Sequence, residues 1–152
     1  MGDVSNTTSL PPLTLAPPPA LRLVGTCDDT KVLETWLQVT SELRSNFQLL
    51  MNTAAAKEKA EMYADVINLA ALRDSAFAVD TPDCAAETGI KLSDTMSQAV
   101  AAFQAFTNGD TADLGNTIPE VNAQIDAVAA EQLELINRMD TQFQQDQTTA
   151  EP

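Results

Sequence analysis

Apolar residues recur along most of this chain at steps of three and four, the spacing that gathers them on one side of a helix. In the stretch opening at "CDDT", Leu33, Trp36, Leu37, Leu43, Phe47 and Leu50 fall on one stripe, and Asp28, Asp29 or Thr30 can accept hydrogen bonds from the first free N–H groups. The pattern predicts a helix from about residue 28 to about residue 52. A second segment, from about 53 to 79, sets Ala56, Ala60, Tyr63, Val66, Ile67, Ala70 and Phe77 on a narrower face, and its alanines favour helix. "VDTPDC" stops it, because Pro82 disfavours the helical region for Thr81 and Asp83 is placed to cap the next helix.

The third segment, from about 83 to 107, carries Leu92, Met96, Ala99, Val100, Phe103 and Phe106, and "TNGD" closes it with Gly109 suited to a left-handed position. In the fourth, Ile118, Val121, Ile125, Val128, Leu135 and Met139 recur at helical steps. Pro119 fits the first turn of a helix but not its interior, so the regular helix is expected to start near Thr117, after a turn at "DTADLGN". The alternative is one longer helix kinked at Pro119. Gln132 interrupts the stripe, and the expectation is that the seam drifts past it toward Leu133 and Ile136, as a straight helix of 3.6 residues per turn requires.

Residues 1–26 differ in kind. Pro11, Pro12, Pro17, Pro18 and Pro19 fix φ and remove backbone donors, which favours an extended, polyproline-like arm over a helix or a central strand. Leu10, Leu13, Leu15, Leu21 and Leu23 are too many for a purely solvated tether, so the arm is expected to dock in a groove. A neighbouring copy is favoured over its own bundle, which makes these five leucines a candidate assembly arm. The organisation that results is an arm over 1–26, a helical domain over 27–145 and a polar tail over 146–152.

Four helices of this length with short connections predict an all-α, up-down-up-down four-helix bundle. That topology brings the starts of helices one and three to the same end, and with them Cys27 and Cys84, 57 positions apart. The spacing predicts a disulfide, and closing a loop of that size stabilises by about 4 kcal/mol in the chain-entropy account. Both cysteines stand at polar helix starts, beside Asp28 and Asp83, and neither CxxC spacing nor histidine partners are present for redox or metal chemistry. A structural disulfide points in turn to an oxidising, extracytoplasmic compartment, secreted or on the cell surface.

Composition narrows the function further. A chain of 152 residues suits one domain, and with 44% hydrophobic but only 5% aromatic residues its core is expected to be built from closely approaching helices. Twenty-two acids against eight bases leave a formal charge of -14, which repels phosphate backbones and anionic lipid, so nucleic acid is not an expected partner. The half after Cys84 is the more anionic, with Lys91 and Arg138 as its only cations. No apolar run is long enough to span a membrane, and Met1-Gly2-Asp3 lacks the basic start of a signal peptide; if the chain is exported, as its cysteines imply, the expectation is a mature form with an added initiator methionine.

With no histidine, the chain cannot form a Ser-His-Asp or Cys-His nucleophile pair, or the Glu-x-x-His pattern of di-iron bundles. The glycine-rich nucleotide signatures and the haem-attachment motif are missing too. Glu58 with Glu61 and Glu131 with Glu134 share helical faces, but in so acidic a chain such pairs read as solvated surface. The expectation is therefore a non-enzymatic protein with no catalytic residues, cofactor or metal.

The order "TCDDTKVLETW", a long helical hairpin, "VDTPDC", a helix ending "AAFQAFTNGD" and a last amphipathic helix resembles uncharacterised exported bacterial helical-bundle proteins, often lipoproteins with Pro-rich or Thr-rich stalks. The resemblance covers about residues 26–143 and brings no catalytic residue with it; the chain departs from the group in having no lipobox cysteine before the stalk. Two functions are open at this point. One is a structural or interaction module outside the cytoplasm, whose partner is another copy or another extracellular protein. The other is a carrier of a small molecule or lipid, which needs an apolar cavity among Trp36, Phe47, Tyr63, Phe77, Phe103 and Phe106.

Overall fold

The computed structural model describes residues 12–109 and 114–150. Among these residues four helices form the fold: α1 Thr30–Ala55, α2 Lys59–Ala78, α3 Ala86–Thr107 and α4 Leu114–Ala150, with a 3-10 turn at Asp83–Ala85 leading into α3. Each helix packs on the next and α4 closes back on α1, which leaves α1 diagonal to α3. Cross-helix hydrogen bonds run in opposite directions along each pair: Thr40 meets Gln132 while Gln48 meets Asn122, and Thr88 meets Glu131 while Thr95 meets Gln124. This is the up-down-up-down bundle that the periodicity predicts.

The helix ends follow local chemistry. Asp29 caps α1, its carboxylate accepting the Lys31 N–H at 3.0 Å. Residues 56–58 make the turn to α2, three residues beyond the expected break at 52 or 53. Nothing in "NTAAAKEKA" is a helix breaker, so propensity alone does not place this turn. Lys57 helps to fix it, its ammonium reaching the largely buried carboxylate of Asp65 at 2.7 Å. Gly109, at φ +91°, ends α3 in the left-handed conformation expected of it.

Helix α4 corrects two expectations. It begins at Leu114, so Pro119 lies inside it, and its helical backbone continues to Ala150 through the residues assigned to a fading polar tail. Pro119 sits near enough to the N-terminus that the donor it lacks costs one bond only, to the Gly115 carbonyl. Beyond it no proline recurs before Pro152. At 37 residues α4 is about 55 Å long and overreaches the 26-residue α1, about 39 Å.

The inward face of α2 is also corrected. Met62, Val66, Leu69, Ala70 and Ala76 are buried, whereas Ile67 is 45% exposed and Ala56 and Ala60 lie outside. Two charged residues, Asp65 and Arg73, share the buried face, and each is charge-paired. In an alanine-rich helix either face is apolar enough, so the pattern does not choose; partners for Asp65 and Arg73 do.

The core falls into two apolar clusters. The larger is built from Phe47, Met51, Val66, Leu69, Leu92, Met96, Phe103, Val121 and Ile125 with their neighbours, and the smaller from Leu33, Trp36, Leu37, Ala85 and Leu135. Between them lies a polar layer. Gln132 is 2% exposed, and its amide donates to the Thr40 hydroxyl at 2.9 Å, which donates in turn to the Trp36 carbonyl at 2.6 Å. Its carbonyl oxygen accepts from Arg44 Nε at 2.8 Å. The expected drift toward Leu133 does not occur, and Leu133 is 57% exposed. A satisfied buried amide is tolerated in the seam, and its geometry sets the height of α4 against α1.

Gln132→Leu should cost about 1–3 kcal/mol in denaturant unfolding, because Thr40 and Arg44 lose a partner. The double variant Thr40→Val with Gln132→Leu should recover part of that loss. A double variant no better than the single would contradict the account of the layer.

Candidate functional site

At one end of the bundle the arm, α1 and the turn before α3 meet. Cys27 and Cys84 are joined by a disulfide with their Cα atoms 5.9 Å apart. Asp83 stands beside it and its carboxylate accepts the Cys27 N–H at 3.1 Å. The two sulfurs and the Asp83 carboxylate gather within 4.8 Å, but the sulfurs are bonded to one another and the carboxylate holds the backbone, so the cluster is spent in holding this corner.

The arm is joined to that corner by backbone pairing. Arg22 N–H donates to the Phe77 carbonyl, Thr81 N–H to the Arg22 carbonyl, Val24 N–H to the Thr81 carbonyl and Asp83 N–H to the Gly25 carbonyl, at 2.9–3.2 Å. A parallel bridge at Leu23 and Thr81 results, flanked by the Arg22–Asp80 ion pair. Gly25 turns the chain at φ +85° into Cys27. Behind the bridge Trp36, 1% exposed, fills the space under α3, and Gly89 provides that space: a Cβ there would stand 3.2 Å from Thr81 Cγ2 and 3.6 Å from Trp36 Cζ2.

From this corner the arm runs back along α2 and α3 to the far end of the bundle. Arg73 donates to the Ala16 carbonyl at 3.0 Å. At the C-terminus of α3, Asn108 brackets Leu13, its side-chain oxygen accepting Leu13 N–H at 2.7 Å and its amide nitrogen donating to Leu13 O at 3.0 Å, while Gln104 donates to the same carbonyl at 2.9 Å. Leu13 is 4% exposed within the larger core cluster, and Leu15 packs partly against it.

Within this one chain the described part of the arm lies on its own bundle, the alternative to a clasp on a neighbouring copy. Leu13 and Leu15 are seated in the bundle of their own chain, Leu21 lies half-buried near Gly89, and Leu23 alone of the four remains mostly exposed; Leu10 lies outside the described residues. A proline-rich strand has few donors to satisfy, and side-chain amides from α3 meet those it has. Sequence reading missed Arg73, Gln104 and Asn108 as its anchors. Asn108 carries no separate signal in the sequence, since an asparagine at a helix end beside glycine is read only as a stop.

Clefts open to solvent lie between helices along the sides of the bundle. One, about 560 Å³, lies between α1 and α4 and is lined by Glu34, Leu37, Gln38, Ser41, Glu42, Ser45, Ile136 and Met139. A second, about 460 Å³, lies where the start of α1 meets the end of α2. A third, about 380 Å³, lies between α3 and α4 around the Lys91–Glu131 ion pair. The Lys91 ammonium is held above its ordinary range by its hydrogen bond to Glu131 and by that carboxylate's charge; desolvation opposes this, and Glu87 makes the least contribution in the upward direction. Stability from this pair is full below the ordinary lysine range and is lost as pH rises past it; on so exposed a side chain it is small. Trp36, Phe47, Phe103 and Phe106 line none of these clefts.

Replacing both cysteines by serine should lower unfolding stability by about 4 kcal/mol, and a non-reduced digest of the oxidised protein should contain the Cys27 and Cys84 peptides linked. Equal denaturation midpoints with and without reductant would contradict a stabilising bridge. Leu13→Ala should cost about 2 kcal/mol and make the arm more sensitive to protease than α1–α4, while Gly89→Val should cost about 1–3 kcal/mol by crowding Trp36 and Thr81.

No family model matches the chain, and no curated protein or solved structure matches it either. The reading of its role therefore rests on the geometry.

Proposed function

We propose that the protein is a non-enzymatic interaction module that works outside the cytoplasm and presents a rigid, acidic surface to another protein. The observation that carries this reading is the stapled corner: a disulfide, a backbone ladder and the buried Leu13 make the arm and the four helices a single body. Such a body keeps its surface shape when it meets a partner, and little ordering entropy is lost on docking. The disulfide supports the compartment, since such bridges persist where thiols are oxidised. The formal charge of -14 supports a partner of opposite charge over a second copy.

The carrier reading requires the aromatic side chains to surround a space. Phe47 and Phe103 are fully buried in the larger cluster and Trp36 in the smaller, where they act as filling rather than lining. The carboxylates work as surface and as pairing groups: Glu131 accepts from Thr88 and Lys91, and Asp65 from Lys57.

A photo-crosslinking residue placed singly at Ser41 or Gln98, in the clefts on either side of α4, tests the reading in the compartment where the protein resides. A discrete protein adduct at one of these positions is the expected result. Absence of an adduct at both would reject this reading, and a stoichiometric lipid or small molecule in the purified protein would then put the carrier in its place.

A further inference from the structure

The bundle has a groove between each pair of adjacent helices, and the arm fills the one between α2 and α3. On the opposite side, α1 and α4 meet through polar side chains along much of their length. Thr40, Arg44, Gln48 and Asn52, spaced by four on α1, reach Gln132, Asp126 and Asn122 of α4. Toward the stapled end the two helices pack through Leu33, Trp36, Leu37 and Leu135, and beside that packing lies the solvent-open cleft with Leu37, Ile136 and Met139 as its apolar floor and Glu34 and Glu42 on its rim. Leu133, one turn before Ile136 on α4, extends the apolar strip and is mostly exposed.

We propose that this groove takes up a cationic amphipathic helix of the partner protein. The inference rests on the interaction-module reading and names the surface and the chemistry of what it binds. Glu34 to Ser45 spans about three helical turns, about 17 Å, which fits a helical segment of similar length laid on its apolar face. Among the described residues no Lys or Arg lines the groove, Arg44 is engaged with Gln132, and Asp140 stands one turn beyond Ile136. Lysine or arginine beside the apolar anchors of a partner therefore meets the carboxylates of Glu34 and Glu42 on the α1 lip.

Two other occupants fit less well. A second copy brings the same acidic rim and a further -14 of charge. Residues 1–11 contain no Lys or Arg, and they join the chain at Pro12, next to Leu13 on the α2 and α3 side of the bundle.

The test is a methyl-NMR titration of the full, oxidised chain with a synthetic Leu/Lys peptide of about four helical turns, compared with a peptide of the same composition whose leucines are scrambled off one face. Saturable one-to-one binding is expected, with shifts centred on Leu37, Ile136 and Met139. Ile136→Gln should weaken it about tenfold, as should the exposed pair Glu34→Lys with Glu42→Lys, which leaves the core untouched. Equal binding of the scrambled peptide, shifts centred elsewhere, insensitivity to the charge-reversed pair, or no saturable binding would each overturn the proposal. The crosslinking positions separate this failure from that of the wider reading: an adduct at Gln98 and none at Ser41 rejects the groove and keeps the module, whereas none at either rejects both.

Discussion

The rest of the structure depends on the tie between residues 22–27 and residues 77–84. A covalent bond, four backbone hydrogen bonds and an aspartate cap converge on one corner, where the arm ends, α1 begins and the chain turns from α2 into α3. Two segments remote in sequence are fixed there at once. The arm is then held close to the α2–α3 groove, so the contacts of Ala16 and Leu13 form at the low entropic cost of an already tethered strand. Trp36 is trapped beneath the same corner, and the absence of a side chain at Gly89 lets α3 approach the ring.

Away from the corner, polar groups set register where apolar packing does not. Leucine, methionine and valine fill the interior well in more than one alignment, because dispersion and burial carry little direction. The amide of Gln132 has one arrangement that satisfies Thr40 and Arg44 together, and it lies between two apolar clusters that would otherwise merge. Arg73 acts in the same way for the arm, joining α2 to the Ala16 carbonyl. Each is a directional contact in a core otherwise indifferent to a shift of a turn.

The two long sides of the bundle are chemically different in consequence. Between α2 and α3 the groove is covered by the chain itself, with apolar side chains inward and the prolines largely outward. Between α1 and α4 the upper part is zipped by amides, and beside the apolar packing of the lower part lies an open cleft with carboxylates above an apolar floor. The negative field over such a surface repels like charge and favours basic groups near it.

The helix count, the antiparallel order, the apolar stripes of α1, α3 and α4 and the pairing of Cys27 with Cys84 were all legible in the residues, because periodicity and neighbour topology are local rules. The turn at residues 56–58, the buried face of α2, the inward position of Gln132 and the course of the arm were not. Alanine favours helix on every side, so α2 could be oriented only by partners for Asp65 and Arg73. An isolated glutamine in a stripe reads as an interruption until Thr40 and Arg44 are brought to it from 92 and 88 positions away. For the arm, the prolines favoured an extended course and the leucines favoured docking over a free tether. Which groove it enters was decided only in three dimensions, where Asn108 and Gln104 lie 95 and 91 positions from Leu13 and supply the hydrogen bonds that its own neighbours in the chain do not.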